Sequence, residues 1–220
     1  MTKKALMLIL ISVLLCFPTA LTFAKFVYTF NCAELNVDQA NKVTKDLDKA
    51  YENWRVVITP YLTWNSTTDL TTALNIFLEE KDSTAYLGIN LVKQDHLLSI
   101  FYISGGSEPS YAIYNELNVW SDEEPITLVF ANGELQLIAS NGTILFQDYY
   151  LGSFTIDQIS GANSIGANAF SEGYVTVEVT EEVTAQAMGM VEKIMPVVTL
   201  AIVLGIMGTL INKLMKKAKA

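Results

Sequence analysis

The feature that most constrains this chain is an uncharged apolar segment close to its C-terminus. Residues 194–211 include no charged side chain across 18 positions. As a helix they would be about 27 Å long, close to the thickness of the hydrocarbon core of a bilayer. A buried core helix is the alternative, but an interior helix seldom lacks any polar face over five turns. The pattern therefore predicts a membrane-spanning helix over residues 194–212. Four lysines in residues 213–220 then predict a short basic cytoplasmic tail.

The N-terminal sequence predicts a secretory signal peptide over residues 1–24. Two lysines precede an apolar run, and small residues, Thr22 and Ala24, occupy the two positions before the cleavage site that signal peptidase recognises. An uncleaved N-terminal anchor is the alternative. Together the two ends predict a type I membrane protein on the surface of a cell or in the envelope of a virion. Its extracytoplasmic domain, residues 25–182, is joined to the bilayer-spanning helix by a linker, residues 183–193.

Charge is divided sharply between the parts of the chain. All 23 acidic residues lie between Glu34 and Glu192, whereas only eight of the 14 basic residues fall in that part of the chain or at its edges. The exported domain is therefore strongly acidic, and it should repel nucleic acid and anionic lipid headgroups. The acidity would keep the domain soluble, and it would also tolerate divalent cations.

The mature chain has a single cysteine, Cys32, because Cys16 leaves with the signal peptide. No disulfide within the mature chain can form, so the domain must be stabilised by its apolar core. Cys32 is either a small buried side chain or one end of a bridge between two chains.

The start of the domain is predicted to be a strand followed by a helix. Phe26 to Phe30 alternates in the manner of a strand. From Asn36 to Trp54 apolar residues recur at three and four positions, which is the helical period. Asn36 can cap this helix, with Gln39 in the capping-box position. The sequence therefore predicts one N-terminal helix packed on the domain.

The rest of the domain is predicted to be short strands separated by turns. The candidate strands are rich in Val, Ile, Leu, Thr, Tyr and Phe. They are Val56–Leu62, Leu70–Glu79, Ala85–Val92, Leu97–Ile103, Tyr111–Val119, Ile126–Ala131, Glu134–Ala139, Thr143–Tyr150, Ser153–Ile159 and Tyr174–Thr180. So many short strands with little helix predict a mainly β fold, an antiparallel β-sandwich.

Two Asn-Gly pairs are the sharpest local signal. Asn132-Gly133 and Asn141-Gly142 separate three successive strand candidates. Asn-Gly supplies the two positive φ angles of a type I′ hairpin. The two pairs therefore predict a three-stranded meander over residues 126–150.

Residues 70–179 resemble the laminin-G-like and concanavalin A-like jelly rolls. The resemblance rests on the run from Ile126 to Ile138 with its Asn-Gly turn, and on Ile165-Gly166-Ala167 leading to Phe170, Gly173 and a final alternating strand. It implies two curved antiparallel sheets that bind glycans or proteins, often with calcium. No calcium ligand of the family can be carried over to a particular residue here.

The acidic loop Asp122-Glu123-Glu124 is a weak candidate for that calcium, and a solvated turn is its other interpretation. Asn65-Ser66-Thr67 and Asn141-Gly142-Thr143 match the N-glycosylation sequon.

In the predicted anchor, Ala201, Gly205 and Thr209 form a ridge of small residues on which helices could pack. Association into a homo-oligomer through this ridge is therefore one possible arrangement of the chain.

No arrangement typical of catalysis is visible. The only histidine, His96, lies beside Asp95 with no nucleophile motif near it, and a turn histidine is the simpler interpretation. Glycosidases on a concanavalin-like fold place paired carboxylates on one face of a strand, and no such strand is present in the sequence. An enzyme is therefore not expected, and no cofactor is predicted.

We expect a non-enzymatic surface protein whose sandwich binds a glycan or another protein. The alternative is a structural envelope, coat or spike subunit that packs against copies of itself. A glycan-cleaving enzyme is a third, weaker interpretation.

Overall fold

The computed structural model describes residues 25–65, 72–104, 112–166, 168–182, 203 and 205–208. The predicted signal peptide, linker and basic tail lie outside these residues. The predicted domain is described up to its last residue, Glu182. The chain divides into two compact units, Met1–Glu181 and Glu182–Ala220. In the second unit, residue 203 and residues 205–208 are helical. Among the described residues, no helix has both the length and the apolar composition needed to cross a membrane.

The first unit contains twelve described strands in two six-stranded sheets. The strands are β1 Lys25–Asn31, β2 Val43–Tyr51, β3 Trp54–Trp64, β4 Ala73–Glu79, β5 Tyr86–Val92, β6 Leu97–Ile103, β7 Tyr114–Glu116, β8 Ile126–Ala131, β9 Glu134–Ile138, β10 Ile144–Tyr150, β11 Ile156–Asn163 and β12 Phe170–Glu181. Sheet A has the order β1-β12-β3-β8-β9-β10, and sheet B has the order β2-β11-β4-β5-β6-β7. Every described pairing is antiparallel. The predicted antiparallel sandwich and its jelly-roll architecture are confirmed.

The core lies between the two sheets and follows the alternation of the strands. In sheet A every second residue of β3 is buried, and so is every second residue of β12 from Val175 to Val179; examples are Trp54, Ile58 and Val177. In sheet B the same role falls to residues such as Leu74 and Ile89. Because side chains of a strand point alternately to the two faces, the remaining residues of each strand face outward.

The predicted meander over residues 126–150 is confirmed, but its two turns differ. Asn132 and Gly133 both have positive φ, 55° and 86°, as a type I′ turn requires. In the second turn only Gly142 has positive φ, and its N–H donates to the carbonyl of Ala139 over 2.9 Å. That turn is a type I turn closed by a left-handed glycine, which fits three-residue hairpins.

The predicted helix from Asn36 to Trp54 is wrong. The chain instead forms a one-turn helix, α1 (Cys32–Leu35), a 3₁₀ turn at Gln39–Asn41 and then strand β2. The capping box lies earlier than predicted: the Asn31 side chain accepts from the N–H of Glu34, and the Glu34 carboxylate accepts from the N–H of Asn31. The apolar spacing was misleading because residues four apart share a face on a strand as well as on a helix.

Candidate functional site

The outward side of sheet B carries an unusual row of amide and hydroxyl side chains. Asn75 on β4 pairs in register with Asn90 on β5, which pairs with Ser99 on β6, which pairs with Asn115 on β7. None of these residues belongs to the core cluster. We call this side of sheet B, as far as it is formed by β2, β11, β4, β5, β6 and β7, the polar face.

The floor of the polar face is buried and incompletely hydrogen-bonded. Asn75 is 0% exposed, yet among the described residues neither its amide nitrogen nor its amide oxygen has a hydrogen-bond partner. Among the described residues, the Oδ1 atom of Asn90 is also buried without a partner. At the other end of the row, Ser99 donates to Oδ1 of Asn115, whose side chain is exposed. The row thus runs from a buried floor to an exposed margin.

A half-buried ion pair lies beside this row. Glu79 on β4 is 9% exposed, and it accepts hydrogen bonds from Lys42 and from the hydroxyl of Ser160. The Lys42 ammonium also lies 4.9 Å from the centre of the Phe77 ring and 5.7 Å from that of Tyr86. The Lys42 side chain is 31% exposed, so its ammonium gains only modestly from the carboxylate and the aromatic faces.

The face brings together two carboxylates that the sequence pattern did not place together. Asp46 on β2 and Glu79 on β4 both pair in register with Gln158 on β11. A hydrogen bond from Gln158 and then the charge of Lys81 hold the pKa of Asp46 below its usual value. Glu79 is ion-paired with Lys42. A glycosidase needs one carboxylic acid whose pKa is raised so that it can donate a proton, and the lowered pKa of Asp46 is the opposite of that requirement.

The predicted acidic loop and the second sequon meet at a separate place, in a cleft of about 260 Å³. Its polar lining consists of Asn118, Ser121, Glu124, Ser140, Asn141 and Thr143. We call it the hairpin cleft, because one wall is the turn between β9 and β10. Within it, the hydroxyl of Ser140 donates to the Glu124 carboxylate over 2.7 Å.

The wall of the hairpin cleft that precedes β8 is fixed by a polar network around Trp120. Asp122 accepts from Lys93, and from the indole N–H of Trp64 over 3.3 Å. The indole N–H of Trp120 donates to the carbonyl of Leu97 over 3.0 Å. These bonds leave the sequence-predicted Asp122 engaged inside the protein rather than turned to solvent.

Four non-glycine residues with positive φ lie in the two loops of that wall. They are Asp95, His96, Asn118 and Glu123. The loops are tied by hydrogen bonds of 2.8 Å from the N–H of Asn118 to the carbonyl of Asp95 and from the N–H of Glu123 to the carbonyl of Pro60. Left-handed backbone at such residues is held only where the surroundings determine it. The lone histidine is therefore a turn residue, packed edge-on to Trp120 with 5.2 Å between ring centres.

The remaining predicted site residues are placed as follows. In the part of the chain that the structure describes, no group of three or more His, Cys, Asp and Glu side chains could hold a metal ion. Asp122, Glu123 and Glu124 are thus not gathered into such a group, and calcium binding at this loop stays a prediction. In the predicted anchor, Gly205 lies in the described helical residues, whereas Ala201 and Thr209 lie outside them.

Cys32 is half-buried at the start of α1. Its thiol donates to the carbonyl of Phe170 over 3.2 Å and accepts from the amide of Asn36. Burial raises the pKa of the thiol above its usual value, and the negative charge of Glu172 acts in the same direction. This environment favours an unreactive side chain over a bridge between chains.

The sandwich is similar to several solved structures. The galectin LEC-6 of Caenorhabditis elegans is 18% identical, with a TM-score of 0.41, over 71% of this chain and 94% of the galectin. The carbohydrate-binding module CBM66 of Bacillus subtilis is 9% identical, with a TM-score of 0.42, over 64% of this chain and 82% of the module. A fructofuranosidase of Schwanniomyces occidentalis in complex with fructose is 10% identical, with a TM-score of 0.48, over 75% of this chain. This chain spans 35% of the length of that enzyme. No protein-family model and no curated protein sequence matches the chain.

Proposed function

We propose that residues 25–182 form a non-enzymatic recognition domain that binds a neutral glycan on the polar face. The observation that carries the proposal is the fully buried Asn75 amide, whose two polar atoms have no partner in the part of the chain that the structure describes. A buried polar group without a partner costs roughly 1–3 kcal/mol. Because Asn75 is 0% exposed, a ligand would reach its amide only after the groups that cover it move aside. It would then recover that energy by donating to the oxygen and accepting from the nitrogen.

The chemistry of the row matches sugar hydroxyls. Each side-chain amide offers both donors and an acceptor, and each hydroxyl of a sugar can act as either. Neighbouring strands lie about 4.8 Å apart, so the row presents amide and hydroxyl groups at nearly regular intervals. In surroundings of low dielectric these hydrogen bonds are stronger than in water.

The charges of the face favour a ligand without net charge. Lys42 is neutralised by Glu79, and Lys81 lies 3.5 Å from the Asp46 carboxylate. No described cation of the face is therefore left for an anionic sugar, and the acidic domain as a whole would repel one. The same ion pairs work against hydrolysis, since Asp46 and Glu79 are both held close to a lysine.

The test is binding by the full-length chain in detergent micelles to a panel of neutral oligosaccharides, followed by calorimetry on the best ligand. We expect Asn75→Leu and Asn90→Leu each to weaken binding at least tenfold. Gln136→Leu, an amide-to-leucine change on the outward side of sheet A, should leave the affinity unchanged. Equal affinity in all three variants, or no binding across the panel, would refute glycan recognition at this face.

We further propose that the domain is exported and held at a membrane by residues 194–212, with the basic tail inside. The apolar segment and the flanking lysines support this topology. Sequencing the N-terminus of the mature protein should give Lys25. Extraction of membranes with alkaline carbonate should leave the chain in the pellet, and its release would contradict a spanning helix.

A second candidate function, self-assembly as a coat or spike subunit, is favoured by the outward side of sheet A. Val27, Tyr61 and Tyr174 there are 49%, 37% and 42% exposed, and the two tyrosine rings lie 5.0 Å apart on neighbouring strands. Val27 lies further along the same side, since it pairs with Glu178, four residues from Tyr174 on β12. Exposed aromatic side chains that contact each other, as Tyr61 and Tyr174 do, are typical of protein contacts. Light scattering should give oligomers that Tyr61→Ser dissociates. Monomers in detergent and on native membranes alike would exclude assembly.

A further inference from the structure

The geometry points to Asn141 as the sequon that carries an N-linked oligosaccharide, with the first sugar lying in the hairpin cleft, and to Asn65 as a structural asparagine that carries none. The inference goes beyond glycan recognition by the polar face, but it rests on the proposed export of the domain. It is drawn from the hydrogen bonds of the two asparagines and from the position of the cleft.

Asn65 is used to join two strands. Its backbone N–H donates to the carbonyl of Ala169 over 3.0 Å, and its Nδ2 donates to the carbonyl of Asn168 over 2.7 Å. Asn168 itself has a positive φ of 67° just before β12 begins. The side-chain nitrogen to which a sugar would be attached is therefore part of the bond that holds the end of β3 to this corner.

The side-chain nitrogen of Asn141, unlike that of Asn65, is not used to hold the fold together. It is exposed at the turn between β9 and β10, and its Oδ1 accepts from the N–H of Thr143 over 2.9 Å. Among the described residues, nothing accepts a hydrogen bond from its Nδ2. The turn is stabilised by backbone bonds between Ala139 and its neighbours across the hairpin, so attachment of a sugar at Nδ2 breaks none of them.

The modification needs a lipid-linked oligosaccharide as the donor. The new bond joins Nδ2 of Asn141 to the anomeric carbon of the first sugar. The bond between that carbon and the phosphate oxygen of the lipid carrier breaks, the lipid phosphate leaves with the electron pair, and Nδ2 loses one proton to a base of the transferase. No oxidant or reductant is required.

The first sugar would have a prepared surface to lie against. Asn141 itself lines the hairpin cleft, together with polar groups of Ser121 and Glu124 on the opposite wall. These groups can donate to or accept from sugar hydroxyls. Because the loop around Trp120 is fixed by its own hydrogen bonds, the wall does not have to be ordered when the sugar binds.

The first experiment measures which sequons carry a glycan. The full chain is expressed in a eukaryotic host with its own leader, and glycopeptides are mapped by mass spectrometry. A matched control, Asp82→Asn, creates a third sequon with Ser83 and Thr84 in the exposed turn between β4 and β5, where φ is 61°. We expect a glycan at Asn141 in both proteins, an additional one at position 82 in the control, and none at Asn65.

Each other outcome overturns the inference in a distinguishable way. A glycan at position 82 without one at Asn141, or a glycan at Asn65, would show that the assignment of the sequons is wrong. The absence of glycans from all three positions would overturn the inference together with the proposed export, while leaving the polar face to be tested by its own binding experiment.

The second experiment tests the position of the sugar. Enzymatic removal of all but the first sugar should leave the Tm unchanged, whereas Asn141→Gln should lower it by about 3 °C. In the double variant Ser121→Ala/Glu124→Ala the glycan should remain attached. In that background the Tm with Asn141 and the Tm with Asn141→Gln should be the same. Glu134→Ala, which removes an exposed carboxylate outside the cleft, should preserve the difference. The same Tm with and without the glycan in the unmodified cleft would show that the sugar points into solvent.

Discussion

Replacing Asn75 and Asn163 by leucine should change stability in opposite directions. Both asparagines are in sheet B and both are 0% exposed. The amide of Asn75 has no partner within the described ranges of the chain. That of Asn163 donates to the carbonyls of Leu35 and Gly166 and accepts from the N–H groups of Ile165 and Gly166. The two sites thus differ in hydrogen bonding at equal burial.

The expected magnitudes follow from that difference. Asn75→Leu removes a buried polar group that is not hydrogen-bonded and adds apolar contact, so the free energy of unfolding should rise by about 1–2 kcal/mol. Asn163→Leu removes four hydrogen bonds, each worth about 1 kcal/mol, and leaves backbone groups unpaired, so the free energy of unfolding should fall by about 4 kcal/mol.

Urea unfolding followed by tryptophan fluorescence measures both changes. The m-value should stay constant if only the folded state is affected. In a domain of this size the Tm should rise by about 2–8 °C for Asn75→Leu and fall by about 8–16 °C for Asn163→Leu. A loss of more than 1 kcal/mol in Asn75→Leu would refute the reasoning, because the amide would then be shown to have partners in the folded protein.

Three further predictions concern other parts of the domain. Gly173→Ala should lower the free energy of unfolding by at least about 3 kcal/mol in urea unfolding, because φ is 102° and the new Cβ would lie 1.9 Å from the carbonyl oxygen of Tyr61. Gly142→Ala, where φ is 83° but nothing lies within 4 Å, should cost only about 1 kcal/mol. Cys32 should react with a thiol reagent at pH 8 more slowly than a free cysteine, because burial raises the pKa of its thiol; rapid labelling of the folded protein would contradict this. A hydrogen bond from a neighbouring glutamine lowers the pKa of Asp46, so its stabilising effect is present above the unfolded pKa of about 3.9 and is lost as the pH falls through the folded pKa. Asp46→Asn should therefore reduce the Tm at pH 6 and match the wild type at pH 2, and an equal deficit at both pH values would exclude titration as the cause.

The strands and hairpins were predictable because two independent signals agreed. Alternating apolar residues indicated strands, and Asn-Gly pairs fixed where they reverse. The bounds of Leu97–Ile103 and Ile126–Ala131 are those predicted. The strand predicted over Tyr111–Val119 is shorter in the structure, where β7 has three residues. Among the described strands β7 pairs with β6 alone, because it lies at the edge of sheet B. An edge strand has one neighbour instead of two to keep its backbone regular.

Strand β2 was mistaken for a helix because it is an edge strand. It pairs only with β11, and its lysines and aspartates suit an exposed edge. Val43 and Leu47 are four residues apart, a spacing that both structures share. Tyr51, 1% exposed and four residues further on, continues the strand face, whereas Ala50, which the helical pattern required to be inside, is exposed.

The polar face could not be found from motifs, because its members come from different strands and meet only through the register of the sheet. A signal was nevertheless present. Asn75 and Asn90 interrupt two apolar runs that become central strands, where asparagine is depleted. An isolated asparagine inside such a run marks either a structural amide whose hydrogen bonds are made within the protein or a group whose partner is a ligand.

This distinction connects the stability prediction to the proposed function. If Asn75→Leu stabilises the domain and abolishes glycan binding, the amide is kept at a cost to the fold because the ligand uses it, as is common where stability and activity compete. If the variant stabilises the domain while the glycan still binds, the polar face is not the site, and recognition must be sought elsewhere on the sandwich. If it destabilises the domain, the amide has partners in the folded protein, and the premise of the proposal fails. Unfolding and binding measured on one variant therefore separate a functional amide from a structural one.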